Sequence, residues 1–545
     1  MRPIEADTLR LISRMPLIDR LEAVAVSGRS RSAVYNAFDA LERDGLAASV
    51  PHASDLIPSI RRYFPTADGL HRLAEEEGFP VEDMLRNRPV SAQWLRVLME
   101  RLDALAVIYR LASAISGIEH PIRFRWFRAM PMDAAVALRD GRVIAVVRQG
   151  TATDRTGFSK RLWRLGQEER PAAVLMLMPD EARLRHARRL VAGAPSIAYL
   201  ALESDAASAG AGAAIWRTPS GAALLDLRTA LEHTGSRGPW PGDETPARAS
   251  LPEAIDENTD EDWMLPSVLR PVDKRAIDLI SDWPWMSHAH MGALIGLKRS
   301  RLSEVVVRLR ELGLAVDVPI EGRRRLAVTD RALAMLARRD RASVGAARKR
   351  WSVTPVDDGK LMTWRNVSGT RSRQLLRNVE HTAAVHGFVA ALARQARSRS
   401  REIVQLDPPR RASRYFHHND RMRSVQPDAF GMLHRGNAVR PFFLEWERRA
   451  VRPVTMAARL APYLRYYSTH RPTDDHGAQP DVLIVFDDDI AQTHFLRVAR
   501  EEMARTGVSV PLLVSHRKLL EQEGPLGRAW LTPGVLEPVQ AFRAP

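Results

Sequence analysis

The sequence predicts a mixed α/β protein of two tandem units, each with a small helical module followed by a larger domain built on a mixed sheet. Three observations lead to this fold class. The chain has 545 residues, which is long enough for about three to four domains. Segments of the first half recur in the same order in the second half. Each half also passes from helical periodicity to alternating strands and helices, a pattern typical of a sheet with helices on both faces.

Composition narrows the classes of function. There are 81 Lys and Arg against 65 Asp and Glu, a formal net charge of +16, while 45% of the residues are hydrophobic. The apolar content excludes a disordered tail protein, and the excess of positive charge favours a polyanionic partner, above all nucleic acid. The absence of cysteine excludes disulfides, thiolate zinc sites and a cysteine nucleophile. The longest apolar runs are much shorter than the about 20 residues of a membrane helix, so we expect a cytoplasmic protein without a membrane partner.

The internal repeat sets the domain organisation. Val26–Val50 aligns without gaps onto Leu294–Val318. Two later matches keep the same order, and they pair Met132-Asp133-Ala134 with Pro427-Asp428-Ala429 and Trp216-Arg217-Thr218-Pro219 with Trp530-Leu531-Thr532-Pro533. Three matches in register favour a duplication over chance similarity. The segment 235–265 between the copies is rich in Pro, Gly and acids and is predicted to be an exposed linker.

The first module of each half has the pattern of a winged helix. Two N-terminal helices are followed by Gly28, and Ser30 is a good N-cap for a third helix. Two strand-like runs, the second ending at Phe64, then form a wing. The same order of elements recurs in the second half. We therefore predict winged helices at 1–80 and 266–345, modules that commonly bind duplex DNA.

Basic residues lie on the outer face of each third helix and in the second wing. A recognition helix brings the cations of its first turn close to phosphates and base edges, and a wing adds a second phosphate contact. The candidate DNA contacts are Arg29 and Arg31 in the first module and Lys298, Arg299, Arg301, Arg323, Arg324 and Arg325 in the second. Winged helices also serve as protein-binding modules, an alternative that gains weight for the less basic first module.

The larger domain of the second half carries the candidate chemistry. Asp428 begins the first strand of a predicted hairpin, and Glu445-Trp446-Glu447 ends the second strand. Two carboxylates on neighbouring strands can share a divalent cation, Mg²⁺ or Mn²⁺, which polarises a phosphodiester and lowers the pKa of a bound water. Asp428 and Glu445 are therefore the candidate metal ligands, and Glu447 completes the candidate catalytic set.

These features resemble the replication-relaxation family of plasmids and integrated elements, in which a winged helix precedes a domain with a PD-(D/E)XK-like pattern. The resemblance rests on a helix with Asn378 and His381, the strands Pro427-Asp428-Ala429 and Phe443-Leu444-Glu445, the helix from Arg459 to Tyr467, and the strand Pro480-Asp481-Val482. It covers roughly 271–533 and, more faintly, the first half. It implies restriction-endonuclease-like domains at 371–535 and, in degenerate form, at 90–234, with double-stranded DNA and replication or transfer proteins as partners.

One position departs from the nuclease pattern. A working nuclease of this class has Lys two residues beyond the second acid, where this chain has Glu447. Arg448 or Arg459 could reach the site, but an arginine stays protonated and cannot act as a base. In the first copy the aligned residues are Asp133, Val147 and Gln149, which leaves a single acid. We therefore expect DNA binding with an inactive nuclease-like domain.

Two other functions stay open. The chain could be a Mg-dependent nickase that uses Asp428 and Glu445, or an adaptor that recruits proteins in replication, transfer or transcription control. A purely structural alternative makes Asp428 an ordinary hairpin acid and pairs Glu445 with Arg459.

Two weaker motifs are interpreted without catalysis. Tyr463, Tyr466 and Tyr467 follow helical spacing, so we expect core packing rather than a tyrosine nucleophile. The stretch from Ala396 to Ser424 is rich in arginine and contains His417 and His418. We expect it to be a loop that contacts nucleic acid rather than a metal site.

Overall fold

The computed structural model of the chain divides into two compact units. Unit 1 comprises Met1–Lys274 and Leu333–Ala347, and unit 2 comprises Arg275–Ala332 and Arg348–Pro545. The structure describes residues 1–152, 155–167, 171–193, 197–235, 238, 240–242, 249–255, 261–356, 362–435, 438–447 and 453–542. Much of the predicted linker at 235–265 and the candidate Arg448 lie outside the described residues.

Unit 1 begins with a helical module. Its elements are α1 (Pro3–Arg14), α2 (Arg20–Ser27), α3 (Arg31–Arg43), β1 (Ala47–His52), β2 (Ile60–Pro65) and α4 (Ala67–Glu77). Asp19 caps α2 by accepting a hydrogen bond from the Glu22 N–H at 2.8 Å. Gly28 ends α2 in the left-handed region at φ 65°, which favours glycine. The strands β1 and β2 pair antiparallel, so three helices are followed by a β-hairpin.

The rest of unit 1 is a seven-stranded mixed sheet with helices around it. The helices and strands are α5 (Val81–Asn87), α6 (Ala92–Glu100), α7 (Leu102–Ser116), β3 (Arg123–Trp126), β4 (Ala134–Ala137), β5 (Val143–Arg148), α8 (Arg155–Gln167), β6 (Ala173–Met178), α9 (Glu181–Val191), β7 (Ala198–Leu202), α10 (Glu203–Ser208), β8 (Trp216–Arg217), β9 (Leu224–Leu225), α11 (Leu227–Glu232) and α12 (Leu265–Val268). Every residue of β5 and β6 is buried, as expected for central strands covered on both faces.

A second helical module follows in the chain. Its elements are α13 (Pro271–Asp282), α14 (His288–Ile295), α15 (Arg299–Glu311), β10 (Ala315–Ile320), β11 (Arg323–Val328) and α16 (Asp330–Arg339). Gly296 ends α14 at φ 81°, the position that Gly28 occupies after α2. The turn between β10 and β11 consists of Glu321 and Gly322, both with positive φ. This two-residue turn closes a tight hairpin.

The large domain of unit 2 has the same architecture as that of unit 1. Its elements are α17 (Val344–Trp351), of which the residues from Arg348 onward belong to unit 2, α18 (Thr370–Arg377), α19 (Val379–Ser398), β12 (Glu402–Asp407), α20 (Pro409–Ala412), β13 (Arg414–His418), β14 (Arg421–Val425), β15 (Ala429–Arg435), β16 (Ala438–Glu447), α21 (Pro453–Tyr467), α22 (Arg471–His476), β17 (Asp481–Phe486), α23 (Asp489–Thr506), β18 (Leu512–His516), α24 (Arg517–Glu523), β19 (Trp530–Thr532) and β20 (Val535–Val539). The basic stretch predicted as a loop is therefore ordered, because it contains an edge strand, β12, and a separate hairpin, β13–β14.

The two sheets agree in strand order and strand direction. Unit 1 has the order β3-β4-β5-β6-β7-β8-β9 and unit 2 the order β12-β15-β16-β17-β18-β19-β20, each with two parallel pairs at the centre and antiparallel pairs outside. The register agrees too, since Leu200 lies opposite Arg217 and Val514 opposite Leu531. The predicted mixed α/β class, with two mixed sheets flanked by helices, is confirmed.

In both units the small module packs on the large domain through the same pair of helices. In unit 1 the Ser116 hydroxyl on α7 donates to the Ala25 carbonyl of α2 at 3.1 Å. In unit 2 the Arg397 guanidinium on α19 donates to the carbonyls of Ala293 and Leu294 at the end of α14. Among the described helices, none combines the length and apolar character needed to cross a membrane.

Candidate functional site

The hairpin of β15 and β16 holds the two candidate metal ligands side by side. The Asp428 N–H donates to the Leu444 carbonyl at 2.8 Å, and the Trp446 N–H donates to Asp428 Oδ2 at 2.8 Å. These two bonds fix the Asp428 carboxylate against the strand that carries Glu445. The other oxygen, Oδ1, lies 3.0 Å from Nε2 of His381, the third residue of α19. Asp428 therefore has a hydrogen-bond partner on each oxygen.

Glu445 lies in an environment that favours its neutral form. The Tyr463 hydroxyl on α21 donates to Glu445 Oε1 at 2.6 Å. Burial and the nearby charge of Asp428 raise the pKa of Glu445 to about 8, although the Tyr463 hydrogen bond and Arg459 act in the opposite direction. The same burial raises the pKa of Tyr463 well above its ordinary value. Near neutral pH, Glu445 therefore carries a proton for much of the time.

Glu447 occupies the position at which a nuclease of this class has lysine, and it forms an ion pair with Arg459 of α21. The side chain of Glu447 is 17% exposed and that of Arg459 is 42% exposed. The pairing differs from the alternative in which Arg459 neutralises Glu445. Arg459 is thus already engaged with a carboxylate of β16.

A cavity of about 400 Å³ opens beside these carboxylates. Its walls combine apolar and polar side chains. The lining residues are Ser424, Gln426, Glu445, Glu447, Met456, Ala458, Arg459, Pro462, Tyr463, Ile484, Phe486 and Phe495. Within the described part of the chain, no group of three or more His, Cys, Asp or Glu side chains is arranged to hold a metal ion.

The aligned position in unit 1 has the same backbone hydrogen bonds but fewer acids. The Asp133 N–H donates to the Val146 carbonyl at 2.8 Å, and the Arg148 N–H donates to Asp133 Oδ2 at 2.6 Å, which matches the bonds of Asp428. Val147 and Gln149 stand where Glu445 and Glu447 stand in unit 2, and they are 0% and 1% exposed. Only one acid of the candidate set is present at this place in unit 1.

The second helical module presents a row of cations. Lys298, the N-cap residue of α15, Arg299 in its first turn, and Arg323 at the hairpin tip are exposed and have no ion-pair partner among the described residues. Two further candidates are exposed but already paired, since Arg301 contacts Glu304 at 2.5 Å and Arg324 contacts Asp317 at 3.0 Å. These five side chains lie on the third helix and on the hairpin of one module.

Arg325 corrects the expectation that all three arginines of the wing face outward. It is 4% exposed, and its Nη1 donates to the Trp285 carbonyl at 3.2 Å. Side chains alternate along a strand, so Arg324 and Arg325 point to opposite faces of the hairpin.

The two candidate DNA contacts of the first module are exposed, but both already contact another side chain. Arg29 pairs with Asp7 at 3.0 Å, and the Arg31 guanidinium lies over the Tyr35 ring at 5.1 Å. The neighbouring Arg62 is completely buried and forms an ion pair with Glu22. Among the candidate residues that the structure describes, the first module therefore offers fewer unpaired cations than the second.

Two parts of the site were missed or undervalued in the sequence. Tyr463 does pack in the core, at 3% exposure, but its hydroxyl also bonds to Glu445. Its spacing of four residues from Arg459 on one helix could have placed both side chains on the same face. The hairpin β13–β14 contributes Ser424 to the cavity and leaves Tyr415 and Met422 53% and 59% exposed. The high arginine content of this segment hid the alternation of buried and exposed residues that is typical of a strand.

The site lies in the part of the chain that comparison with known families identifies. Residues 304–482 match the Replication-relaxation family. This segment runs from α15 to the start of β17 and contains His381, Asp428, Glu445 and Tyr463. The resemblance noted in the sequence is confirmed for this segment. No curated protein and no solved structure gives a significant match.

Proposed function

We propose that this protein binds duplex DNA in the replication of a plasmid or integrated mobile element, with its helical modules acting as winged helices. The observation that carries the proposal is the row of exposed cations on α15 and on the β10–β11 hairpin. A third helix preceded by a tight turn and followed by a hairpin is the arrangement with which winged helices enter a groove and touch the flanking backbone.

The N-terminus of α15 is suited to phosphate. Lys298 and Arg299 lie where the unpaired N–H groups of the first turn already favour an anion. At the hairpin tip, the left-handed residues Glu321 and Gly322 turn the chain so that Arg323 begins β11 in an exposed position. Helix and hairpin together supply cations to two stretches of DNA backbone.

The β13–β14 hairpin offers a second basic surface in unit 2. Its exposed residues include Tyr415, His417, Arg421, Met422 and Arg423. An exposed aromatic ring flanked by arginines is suited to stacking on bases and pairing with phosphates. The first sheet domain has only the short connection from Trp126 to Ala134 at this place, so this contact would belong to unit 2 alone.

The nuclease-like domain of unit 2 acts in this proposal as a scaffold that does not cut DNA. Cleavage needs a cation that stabilises charge on the phosphate in the transition state. Glu447 replaces that cation by a carboxylate, and Arg459 is held by Glu447. Both oxygens of Asp428 and one oxygen of Glu445 are also occupied by protein donors.

We further infer that the two units arose by duplication and that unit 1 is the degenerate copy. The support is the common strand order, the equal hydrogen bonds of Asp133 and Asp428, and the loss of the acids at Val147 and Gln149. Two DNA-binding modules on one chain gain affinity because the first contact raises the effective concentration of the second.

One observation favours a Mg-dependent nickase as a second candidate. Burial and, after it, the nearby charge of Asp428 raise the pKa of Glu445 to about 8, so repulsion between the two carboxylates contributes to the shift. Such a pair gains from a divalent cation, and Asp428 and Glu445 would hold it. The cation would polarise a phosphodiester and supply an activated water.

A single experiment separates the two candidates. Supercoiled plasmid is incubated with the full chain in Mg²⁺ or Mn²⁺, and the products are resolved before and after removal of protein, with Asp428→Ala beside the wild type. We expect retarded plasmid that returns intact after protein removal for both proteins. Nicked or linear DNA from the wild type alone would establish the nickase, and absence of retardation would contradict DNA binding.

A further inference from the structure

Unit 1 holds a guanidinium group against Asp133, the residue that has the backbone hydrogen bonds of Asp428 in unit 2. A cavity of about 10 Å³ is left beside Asp133 and Arg148, and its lining includes Arg339, Asp340 and Arg341. These three residues belong to unit 1 and lie at the end of α16 or directly after it.

Arg341 is the centre of this arrangement. Its Nη1 donates to Asp133 Oδ1 at 3.1 Å and to the Met132 carbonyl at 2.7 Å, and its Nη2 donates to the carbonyls of Met130 and Arg128 at 2.7 and 3.2 Å. Four oxygens thus surround one guanidinium. Carbonyl and carboxylate oxygens are also the ligands that hard cations prefer.

Asp340 anchors the same segment from the other side. Its side chain is fully buried, and it accepts from Arg148 Nη1 at 2.9 Å and from the Ala152 N–H at 2.7 Å. The segment passes directly over Gly150, because a Cβ added there would lie 2.1 Å from the Asp340 carboxyl carbon. Arg341 itself has φ 53°, a conformation that residues with side chains seldom adopt, so the fit is held against a local cost.

The guanidinium groups around Asp133 and Asp340 change the pKa values of these two acids. Asp133 and Asp340 are both buried, yet the surrounding guanidinium groups lower the pKa of each carboxyl. Asp133 faces Arg161 and Arg341, while Arg148, Arg161 and Arg339 surround the rest of the cluster.

We propose that unit 1 contains a guanidinium-binding site at the position that Asp428 occupies in unit 2, and that Arg341 of the same chain is its ligand. The guanidinium provides the positive charge that Asp133 requires, and the site has become a receptor for an arginine-bearing segment. This inference does not depend on DNA binding by the helical modules.

Chemical rescue tests the proposal on the full chain. In Arg341→Ala, hydrogen exchange is followed by mass spectrometry in peptides covering 128–152, with peptides covering 429–447 in unit 2 as an internal reference. Loss of the partner of a buried charge should accelerate exchange in the first set about 100-fold or more. Methylguanidinium at millimolar concentration should restore most of the protection, with an equal concentration of sodium chloride as the salt control.

Three further variants sharpen the result. Arg139→Ala removes an exposed arginine of unit 1 and should leave exchange unchanged with or without methylguanidinium. Gly150→Ala displaces Asp340 while Arg341 remains, so it should lose protection without being rescued. If Arg341→Ala does not fold, Arg341→Lys keeps the positive charge but loses the planar guanidinium with its several N–H donors. Hydrogen exchange in its 128–152 peptides should still be faster than in the wild type. Wild-type exchange in the Arg341 variants, or loss of protection in Arg341→Ala that methylguanidinium does not reverse, would overturn the proposal.

Discussion

The cations of α15 and the second hairpin predict a definite salt dependence of DNA binding. Each phosphate contact contributes about 0.9 to the slope of log affinity against log salt. Lys298, Arg299 and Arg323 are unpaired within the described residues and predict a slope of about −2.7, which corresponds to an about 40-fold loss of affinity between about 50 and 200 mM salt. If Arg301 and Arg324 leave their acids to join, the slope becomes about −4.5 and the loss about 500-fold.

Fluorescence anisotropy with a labelled duplex, titrated at several salt concentrations, measures this slope for the wild type and for Arg299→Ala. The variant should lower the magnitude of the slope by about 0.9. Arg505→Ala is the matched control, because this exposed arginine on α23 has the same charge and pairs with Glu502 outside the helical module. Equal slopes for the wild type and Arg299→Ala would refute the assignment of α15 to the DNA contact, as would an equal effect of Arg505→Ala.

Three further predictions concern buried charges in the two units. The pKa of Glu445 is raised to about 8 in the folded chain from an ordinary value of 4.5, so its contribution to stability is complete below pH 4.5 and is lost as the pH rises towards 8. Glu445→Gln should remove a few kcal/mol of that pH dependence in urea unfolding measured between about pH 5 and 8, and an unchanged dependence would contradict the burial of this group. Arg62→Ala removes one of the two arginines that pair with the buried Glu22, leaving Arg110 at 3.5 Å, and should lower the free energy of unfolding by about 3 kcal/mol, whereas the exposed Arg72→Ala should change it by less than about 1 kcal/mol. His290→Glu should stabilise unit 2 by about 1 kcal/mol or more, because it places a carboxylate beside Arg325, and a lower denaturation midpoint would show that desolvation outweighs the new pair.

The sequence predicted the parts of the fold that depend on local pattern. Helix caps at Ser30 and Gly28, the alternation of strands and helices, and the position of Asp428 beside Glu445 all agree with the structure. It did not predict the β13–β14 hairpin or the contacts of Asp340 and Arg341 in unit 1. The insertion of Asp340 over Gly150 joins residues about 190 positions apart, and no periodicity in the sequence reports such a contact.

The β10–β11 hairpin shows why a run of arginines in a sequence overstates the number of cations that face solvent. In each module a residue of positive φ, Leu17 or Trp285, turns its carbonyl inward, and the hairpin arginine that faces it donates to that oxygen, Arg62 at 2.9 Å and Arg325 at 3.2 Å. The register could have revealed this role, since Val50 lies opposite Arg62 and Val318 lies opposite Arg325 in the two hairpins.

The two buried arginines differ in their partners. In unit 1 Arg62 pairs with the carboxylate of Glu22, whereas the aligned position in unit 2 has His290, whose pKa is lowered to about 4 by burial and by the charge of Arg325. Net positive charge in this chain thus divides into cations that face solvent and cations that hold the fold, and only the solvent-facing group can determine the salt dependence of binding.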